Sequence, residues 1–271
     1  MGKLGGVQTM KILSVLAVFA VLLLAGCAEG NYQSSSSGSS GGTSQQSGRA
    51  VYTMTDAAAD MAAVTSVKVT VDSVRARSEA GSWVDLSSSR QTYDLLQLKA
   101  EGKQAVMADA ALWEGNYNEV RLGISKVVVT DSEGDHEAKL PSNELKIKGE
   151  FTVKANSTAV AVFDFQADES LHTTGQGEYV MAPVVQLETR ENAQVTVRGN
   201  EAIVSGGSVR TRVKVGMDLN GNVGVGLGIP ADANVTVSAG RLSIGIGSSA
   251  RTRATSGNQA EVGGEVAGGI Y

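Results

Sequence analysis

From about residue 50 to residue 190 apolar and polar side chains alternate with a period of two. Val67, Val69 and Val71 are separated by Lys68 and Thr70, then the phase slips at Asp72-Ser73 and resumes at Val74, the mark of a β-bulge. Val120, Leu122 and Ile124 alternate with Arg121 and Gly123. Leu145, Ile147, Phe151 and Val153 share one face, and Lys146, Lys148, Glu150, Thr152 and Lys154 share the other. These segments predict half-buried antiparallel strands. Turn residues separate them at Ala80-Gly81-Ser82, at Asp131 to Asp135 and at Asn156-Ser157. Ala159 to Phe165 is apolar on both faces and predicts a central strand. Helical pattern is confined to Ala57 to Ala63 and Tyr93 to Leu98. About seven short strands with so little helix predict an all-β chain, with an antiparallel β-sandwich over residues 50–190.

Residues 191–271 read as a Gly-rich β tail, holding 16 of the 33 glycines. Val209, Thr211, Val213, Val215, Met217 and Leu219 predict one arm of a hairpin. Val223, Val225, Leu227 and Ile229 predict the other, across a three-residue loop Asn220-Gly221-Asn222 that pairs Leu219 with Val223. The second arm's far side would be a stripe of Gly224, Gly226 and Gly228, an arrangement expected where another backbone lies close. A faint repeat at offsets of 40 to 41 relates Val195-Thr196-Val197 to Val235-Thr236-Val237, and Arg210-Thr211-Arg212 to Arg251-Thr252-Arg253. Two copies fall short of a free-standing solenoid, so the tail is expected to lean on the body or on another molecule.

The start of the chain has a different character. After Lys11 an apolar run of about 15 residues, short for a bilayer span, has the proportions of an export signal, with Met1 and Met10 as alternative starts. The run ends in Leu24-Ala25-Gly26-Cys27, which resembles the prokaryotic lipobox. That resemblance implies a diacylglyceryl group on the Cys27 thiol and cleavage just before it, leaving residues 1–26 as a signal peptide. Residues 27–49 then form a tether, with eight Ser and four Gly between positions 34 and 48. A flexible chain of about 20 residues spans on the order of 25 Å. The expected location is therefore outside the cytoplasm, at the cell membrane or outer membrane, with the membrane as partner through the lipid.

Composition narrows the chemistry. The one cysteine excludes an intramolecular disulfide framework and an all-cysteine metal site, and two histidines leave little for a multi-histidine centre. The formal charge is −5; with Lys3 and Lys11 set aside, residues 27–190 carry about −8 and residues 191–271 about +1. An acidic body repels phosphate backbones, which argues against a nucleic-acid partner.

Several short motifs occur in a characteristic order: Thr55-Asp56-Ala57, Gly81-Ser82-Trp83-Val84-Asp85-Leu86, Asp94-Leu95-Leu96, Gly115-Asn116-Tyr117 with Val120-Arg121-Leu122, Leu140-Pro141-Ser142, Asp164-Phe165, Ser170-Leu171 and Tyr179 to Pro183. In this the chain resembles the domain-of-unknown-function family numbered 4382. The resemblance implies a secreted prokaryotic lipoprotein domain of prealbumin-like fold; it carries over no catalytic residue. Where members of that family often have Asp-Ala-Pro, this chain has Asp56-Ala57-Ala58.

Candidate sites are few. Asp131, Glu133 and Asp135, with His136 beside them, gather hard oxygens of the kind Ca2+ takes, the one cofactor suggested, though without EF-hand spacing; solvated turn residues are the plainer reading. Arg210 with Arg212 and Arg251 with Arg253 would place paired guanidiniums on a strand face, suited to an acidic polymer or simply solvated. Trp83 and Trp113 would make a sugar-stacking platform, but in a chain with so few aromatics a core position is the plainer expectation. Asn156 and Asn234 fit the N-glycosylation pattern. Neither His136 nor His172 has the surroundings of a nucleophilic triad, and no phosphate-binding loop is present. The expectation is a non-catalytic, lipid-anchored surface protein acting in adhesion, envelope organisation or capture of a ligand such as an envelope glycan or protein. The alternatives are a carboxylate-dependent hydrolase using Asp56, Asp60 or Asp164, and a structural subunit docking through the glycine stripe.

Overall fold

The computed structural model describes residues 45–245 except 59, 60, 62, 231, 232 and 240; Cys27, Asp60, Arg251 and Arg253 lie outside the described residues. The described part is all-β, with two six-stranded sheets. The first contains β1 (Ser47–Asp56), β5 (Gln104–Trp113), β9 (Thr158–Phe165), β12 (Val184–Arg198), β13 (Glu201–Met217) and β14 (Val223–Gly224). The second contains β2 (Val64–Ser78), β3 (Trp83–Ser87), β4 (Gln91–Asp94), β6 (Gly115–Asp131), β7 (Gly134–Glu137) and β8 (Glu144–Val153). Two short pairs, β10 (Leu171–Thr173) with β11 (Tyr179–Met181) and β15 (Asn234–Ser238) with β16 (Arg241–Gly245), flank them.

The alternation read in the sequence becomes the main core. Val67, Val69, Val71, Val74 and Ala76 of β2, Val120, Leu122 and Ile124 of β6, and Leu145, Ile147, Phe151 and Val153 of β8 are all buried in it. The phase slip at Asp72-Ser73 coincides with a register shift between Val71 and Ser73. From the first sheet, Tyr52 places its ring 6.4 Å from Phe163 of its own sheet and 5.1 Å from Phe151 of the second, so an aromatic contact joins the two inner faces.

Strand β9 is central, between β1 and β12, and apolar on both sides. It runs parallel to β1, the one parallel pair among the named strands described, where antiparallel pairing was expected throughout. Its second apolar face is covered by a long β12–β13 hairpin. The turn is Gly199-Asn200, with Gly199 at φ 60°, as a two-residue hairpin with glycine first requires. The hairpin bends where its register shifts between Thr189 and Arg190, and its tip returns to β5 through Glu201↔Ala105 and Ala202↔Gln104. Strands β9, β1, β5, β13 and β12 therefore close into a five-stranded ring. Val51, Val160, Val162 and Ala193 form a second small core inside it, with Val195 and Val204 packed against them.

This closure alters three sequence expectations. The boundary at residue 190 falls inside β12, because residues 191–217 complete the first sheet rather than starting a separate tail. The 220–222 hairpin pairs Met217 with Val223, not Leu219 with Val223. The cause is Asp218, whose Oδ1 accepts the N–H groups of Asn220 and Asn222 at 2.9 Å and closes the loop one pair earlier, preserving which side the apolar residues face. The glycine stripe is not a strand face: β14 ends at Gly224, and the chain turns at Val225-Gly226, where the Leu227 N–H reaches the Gly224 carbonyl. The close backbone approach lies instead at Gly216, where a Cβ would stand 2.0 Å from the Leu227 carbonyl oxygen.

Helix is scarce, as expected, and the helical pattern read at Tyr93 to Leu98 is realised two to three residues later in the chain. The short helix α1 (Leu95–Glu101) starts at Asp94, whose side chain accepts the Gln97 N–H, and a second, α2 (Ala167–Ser170), follows β9. The described residues among 57–63 form no helix. Strand β1 already begins at Ser47, inside the expected tether. No helix among the described residues is long and apolar enough to cross a membrane.

Candidate functional site

The outer face of the second sheet carries an aromatic and cationic surface. Strand pairing sets two rows across β3, β2, β6 and β8: Asp85, Arg75, Arg121, Lys146, and beside it Trp83, Arg77, Glu119, Lys148. Three inter-strand spacings make each row about 14 Å wide, and the rows are about 7 Å apart. The residues project outward because their chain neighbours, Val74 and Ala76 on β2 and Val120 and Leu122 on β6, project into the core.

Trp83 is not in the core. It is half-buried, and its ring centroid lies 4.2 Å from the Arg121 guanidinium carbon, 5.1 Å from that of Arg75 and 6.0 Å from that of Arg77. Trp83 belongs to β3 and Arg121 to β6, with β2 between them, so the indole lies across β2 over the guanidiniums. Arg75 and Arg121 sit directly opposite each other, which alone is unfavourable for like charges. The indole offsets this, as do carboxylates. Arg121 donates to Glu119 at 2.7 Å and to Glu144 at 3.4 Å, and Arg75 Nε stands 2.9 Å from Asp85 without hydrogen-bond alignment. The Glu119 hydrogen bond raises the Arg121 pKa further.

Five basic side chains, Arg75, Arg77, Arg121, Lys146 and Lys148, face two acidic ones, Asp85 and Glu119, in these two rows. Arg77 and Lys148 make no ion pair among the described residues. A locally positive, aromatic patch thus stands on a chain of net charge −5. Trp113, at the end of β5, is 53% exposed, so both tryptophans lie outside the core.

The other candidates are placed as follows. Asp131 accepts the Glu133 N–H at 2.8 Å, His136 Nε2 at 3.1 Å and the Tyr179 hydroxyl at 2.7 Å, and Asp135 accepts from Thr130. The Tyr179 hydroxyl leads in holding Asp131 below the usual carboxylate range. These carboxylates secure a turn, and no group of three or more His, Cys, Asp or Glu able to hold a metal occurs among the described residues. Arg210 is paired with Glu191, which also binds Lys154, and Arg212 is paired with Glu188. Their guanidiniums tie the β12–β13 hairpin together instead of standing free. Asn156, on the β8–β9 turn, and Asn234, at the start of β15, are exposed.

Asp56 and Asp164 do not converge. Thr55 is the register partner of Asp164, whereas Asp56 pairs with Phe165, so the two carboxyls face opposite sides of one sheet. His172 lines a groove of about 890 Å3 beside Asp168, Lys214 and Leu227, and burial holds its pKa below the usual value. The sequence offers Trp83 as a sugar-stacking ring only beside Trp113 and behind a core position, and does not show Arg75, Arg77 and Arg121 around it, although a signal is present: Trp83 is in phase with Asp85, while Val84 and Leu86 occupy the apolar phase of β3.

No curated protein and no solved structure matches the sequence. The family model described as "Domain of unknown function (DUF4382)" matches residues 47–183, from β1 through β11 and including every residue of the Trp83 face. On that match over half its length, the chain belongs to the DUF4382 family.

Proposed function

We propose that this protein is an exported, lipid-anchored β-sandwich domain that binds an anionic polysaccharide on the Trp83 face, without catalysis. Cys27 would carry the lipid, and residues 28–46 would hold the domain away from the membrane. The observation that carries the reading is the Trp83 indole laid over Arg75 and Arg121 on an open sheet face. A flat ring offers a surface for the face of a sugar, and the surrounding guanidiniums and Lys148 offer partners for carboxylate or sulfate.

The test is titration of the purified protein with carboxylated, sulfated and neutral polysaccharides of matched length. Binding should favour the charged polymers and weaken with added salt. Trp83→Ala should lower affinity at least tenfold when measured well below its melting temperature, which itself falls somewhat because the indole no longer covers the two guanidiniums. Equal affinity for neutral and charged polymers, or an unaltered Trp83→Ala protein, would refute it.

A further inference from the structure

The ring formed by β9, β1, β5, β13 and β12 encloses more than its small valine core. Its interior is apolar at one end, where Val51, Val160 and Ala193 meet, and Arg49 lies at that end, bound to Asp109 and to the Val195 carbonyl. The other end opens into a cavity of about 200 Å3. All five strands contribute to its wall: Thr55, Gln104, Asp164, Gln186, Glu188 and Arg190 supply polar groups over a floor of Val162 and Val204.

These polar groups are only partly engaged with one another. Glu188 and Arg190 are paired at 2.6 Å, and Arg190 also donates to the Gly206 carbonyl at 3.1 Å. Gln104 Oε1 accepts the Thr53 hydroxyl at 3.3 Å, and its amide N–H groups have no side-chain acceptor among the described residues. Gln186 makes no side-chain hydrogen bond among the described residues, and Asp164 Oδ1 is buried with no partner at hydrogen-bond geometry, while the nearby Ala57 N–H and Gln166 amide only partly offset the rise that burial gives the carboxyl's pKa. Buried polar atoms are ordinarily paired, so an orphaned carboxylate oxygen beside a cavity calls for a donor from outside the chain.

The chemistry of the wall selects the class of occupant. Asp164 and Glu188 oppose an anion, while Arg190 opposes a cation. What remains is a neutral molecule rich in hydroxyls, able to donate to Asp164 and accept from the two amides, with C–H groups to lie on the valine floor. At about 30 Å3 for each water, the space of about 200 Å3 equals roughly seven waters, the size of one sugar ring and too small for two.

We propose that the open end of this five-stranded ring is a binding site for a single neutral sugar ring. It is separate from the Trp83 face, being on the other sheet, and takes an uncharged ligand. The four wall residues Gln186, Glu188, Arg190 and Val204 lie beyond the residues matched to the family, so the site belongs to the part of the fold added by the β12–β13 hairpin.

The experiment is ligand-observed NMR and calorimetry on the full chain, with glucose, galactose, mannose and N-acetylglucosamine as probes and methylammonium and acetate as charged controls. At least one sugar should bind in the millimolar range or tighter, and the charged controls should not. Gln186→Ala, which removes no internal hydrogen bond, should weaken binding about tenfold at unchanged melting temperature, the loss expected for roughly one well-made hydrogen bond. Asp164→Asn keeps an acceptor and should retain part of the affinity that Asp164→Ala loses. Trp83→Ala should leave monosaccharide binding intact, so failure of the polysaccharide reading would not register here. The proposal is overturned if none of the sugars binds, if methylammonium binds better than they do, if Gln186→Ala and Asp164→Ala bind as wild type, or if a sugar-soaked crystal shows only water at Asp164.

Discussion

Replacing Asp56 by Asn should change how stability depends on pH. Asp56 ends β1 and is 5% exposed; its Oδ1 accepts the N–H groups of Ala58 at 3.2 Å and Ala167 at 3.1 Å, while Oδ2 is buried without a partner. Burial raises its pKa from 3.8 to about 6, against the two N–H bonds, with Asp164 adding to the rise and Lys99 opposing it. Between these two values the folded protein holds a proton that the unfolded chain has released. Stability from this residue is therefore present below pH 3.8 and is lost as pH rises through about 6. At roughly one pKa unit per tenfold change in proton affinity the whole effect is about 3 kcal/mol, most of which falls between pH 4 and 7.5. Asn keeps the Oδ1 acceptor and cannot ionise. Urea unfolding of both proteins across that range should show the variant gaining about 2 kcal/mol on wild type as pH rises. The difference cancels the opposite contributions of Glu188 and Glu191, whose burial is outweighed by arginine and lysine hydrogen bonds that hold their pKa values low. Two parallel stability curves would refute the argument that Asp56 is stabilised in its neutral form by burial.

Further outcomes follow from packing and from the anchor. Gly216→Ala forces a Cβ against the Leu227 carbonyl and should cost about 1–3 kcal/mol in chemical unfolding, whereas Gly226→Ala, which meets nothing within 4 Å but has φ +74°, should cost about 1 kcal/mol. Val160→Ala removes a fully buried side chain from the small core inside the ring and should cost about 2 kcal/mol; a loss under about 0.5 kcal/mol would mean that the hairpin does not seal that face in solution. Cys27→Ala should move the protein from the membrane fraction to the soluble one, and continued tight membrane association would count against lipid at that thiol.

What the sequence reveals and what it conceals can be traced to individual residues. Strands with one wet face announce themselves: the alternation from Val67 to Ala76 and from Leu145 to Val153 matches the buried faces of β2 and β8. Strands buried on both sides lose that signal. Ala159 to Phe165 was legible as central, but nothing in an unbroken apolar run tells parallel from antiparallel pairing, so the β1–β9 relation was not. The ring was hidden for another reason. Its hairpin arms are Gly- and Ser-rich near the bend, at Ser205-Gly206-Gly207-Ser208, and composition there reads as a tail. Gly199-Asn200, flanked by Val195-Thr196-Val197 and Ile203-Val204, was the available turn signal. The scarcity of aromatics argues for a core position for Trp83, whereas strand parity places it with Asp85. Parity is the stronger argument because a one-residue change of phase moves a side chain through the sheet.

The extent of the family match separates the two surfaces. Residues 47–183 contain Arg75, Arg77, Trp83, Arg121 and Lys148, and the strands that align them, β3, β2, β6 and β8, are all complete within that range. The ring is not complete there, because β12 begins at Val184 and β13 at Glu201. A chain sharing only the matched segment would therefore keep the cationic sheet face but expose Val51, Val160 and Val162 to water. Three valines on adjacent strands would form an apolar patch costing several kcal/mol in lost burial. The hairpin thus has a structural reason to exist wherever those positions are apolar, and the polar mouth above Val162 arises where its bend at Arg190 turns away from β9. Replacing that hairpin by a short loop should leave polysaccharide binding measurable on whatever protein remains folded, while removing the monosaccharide site altogether.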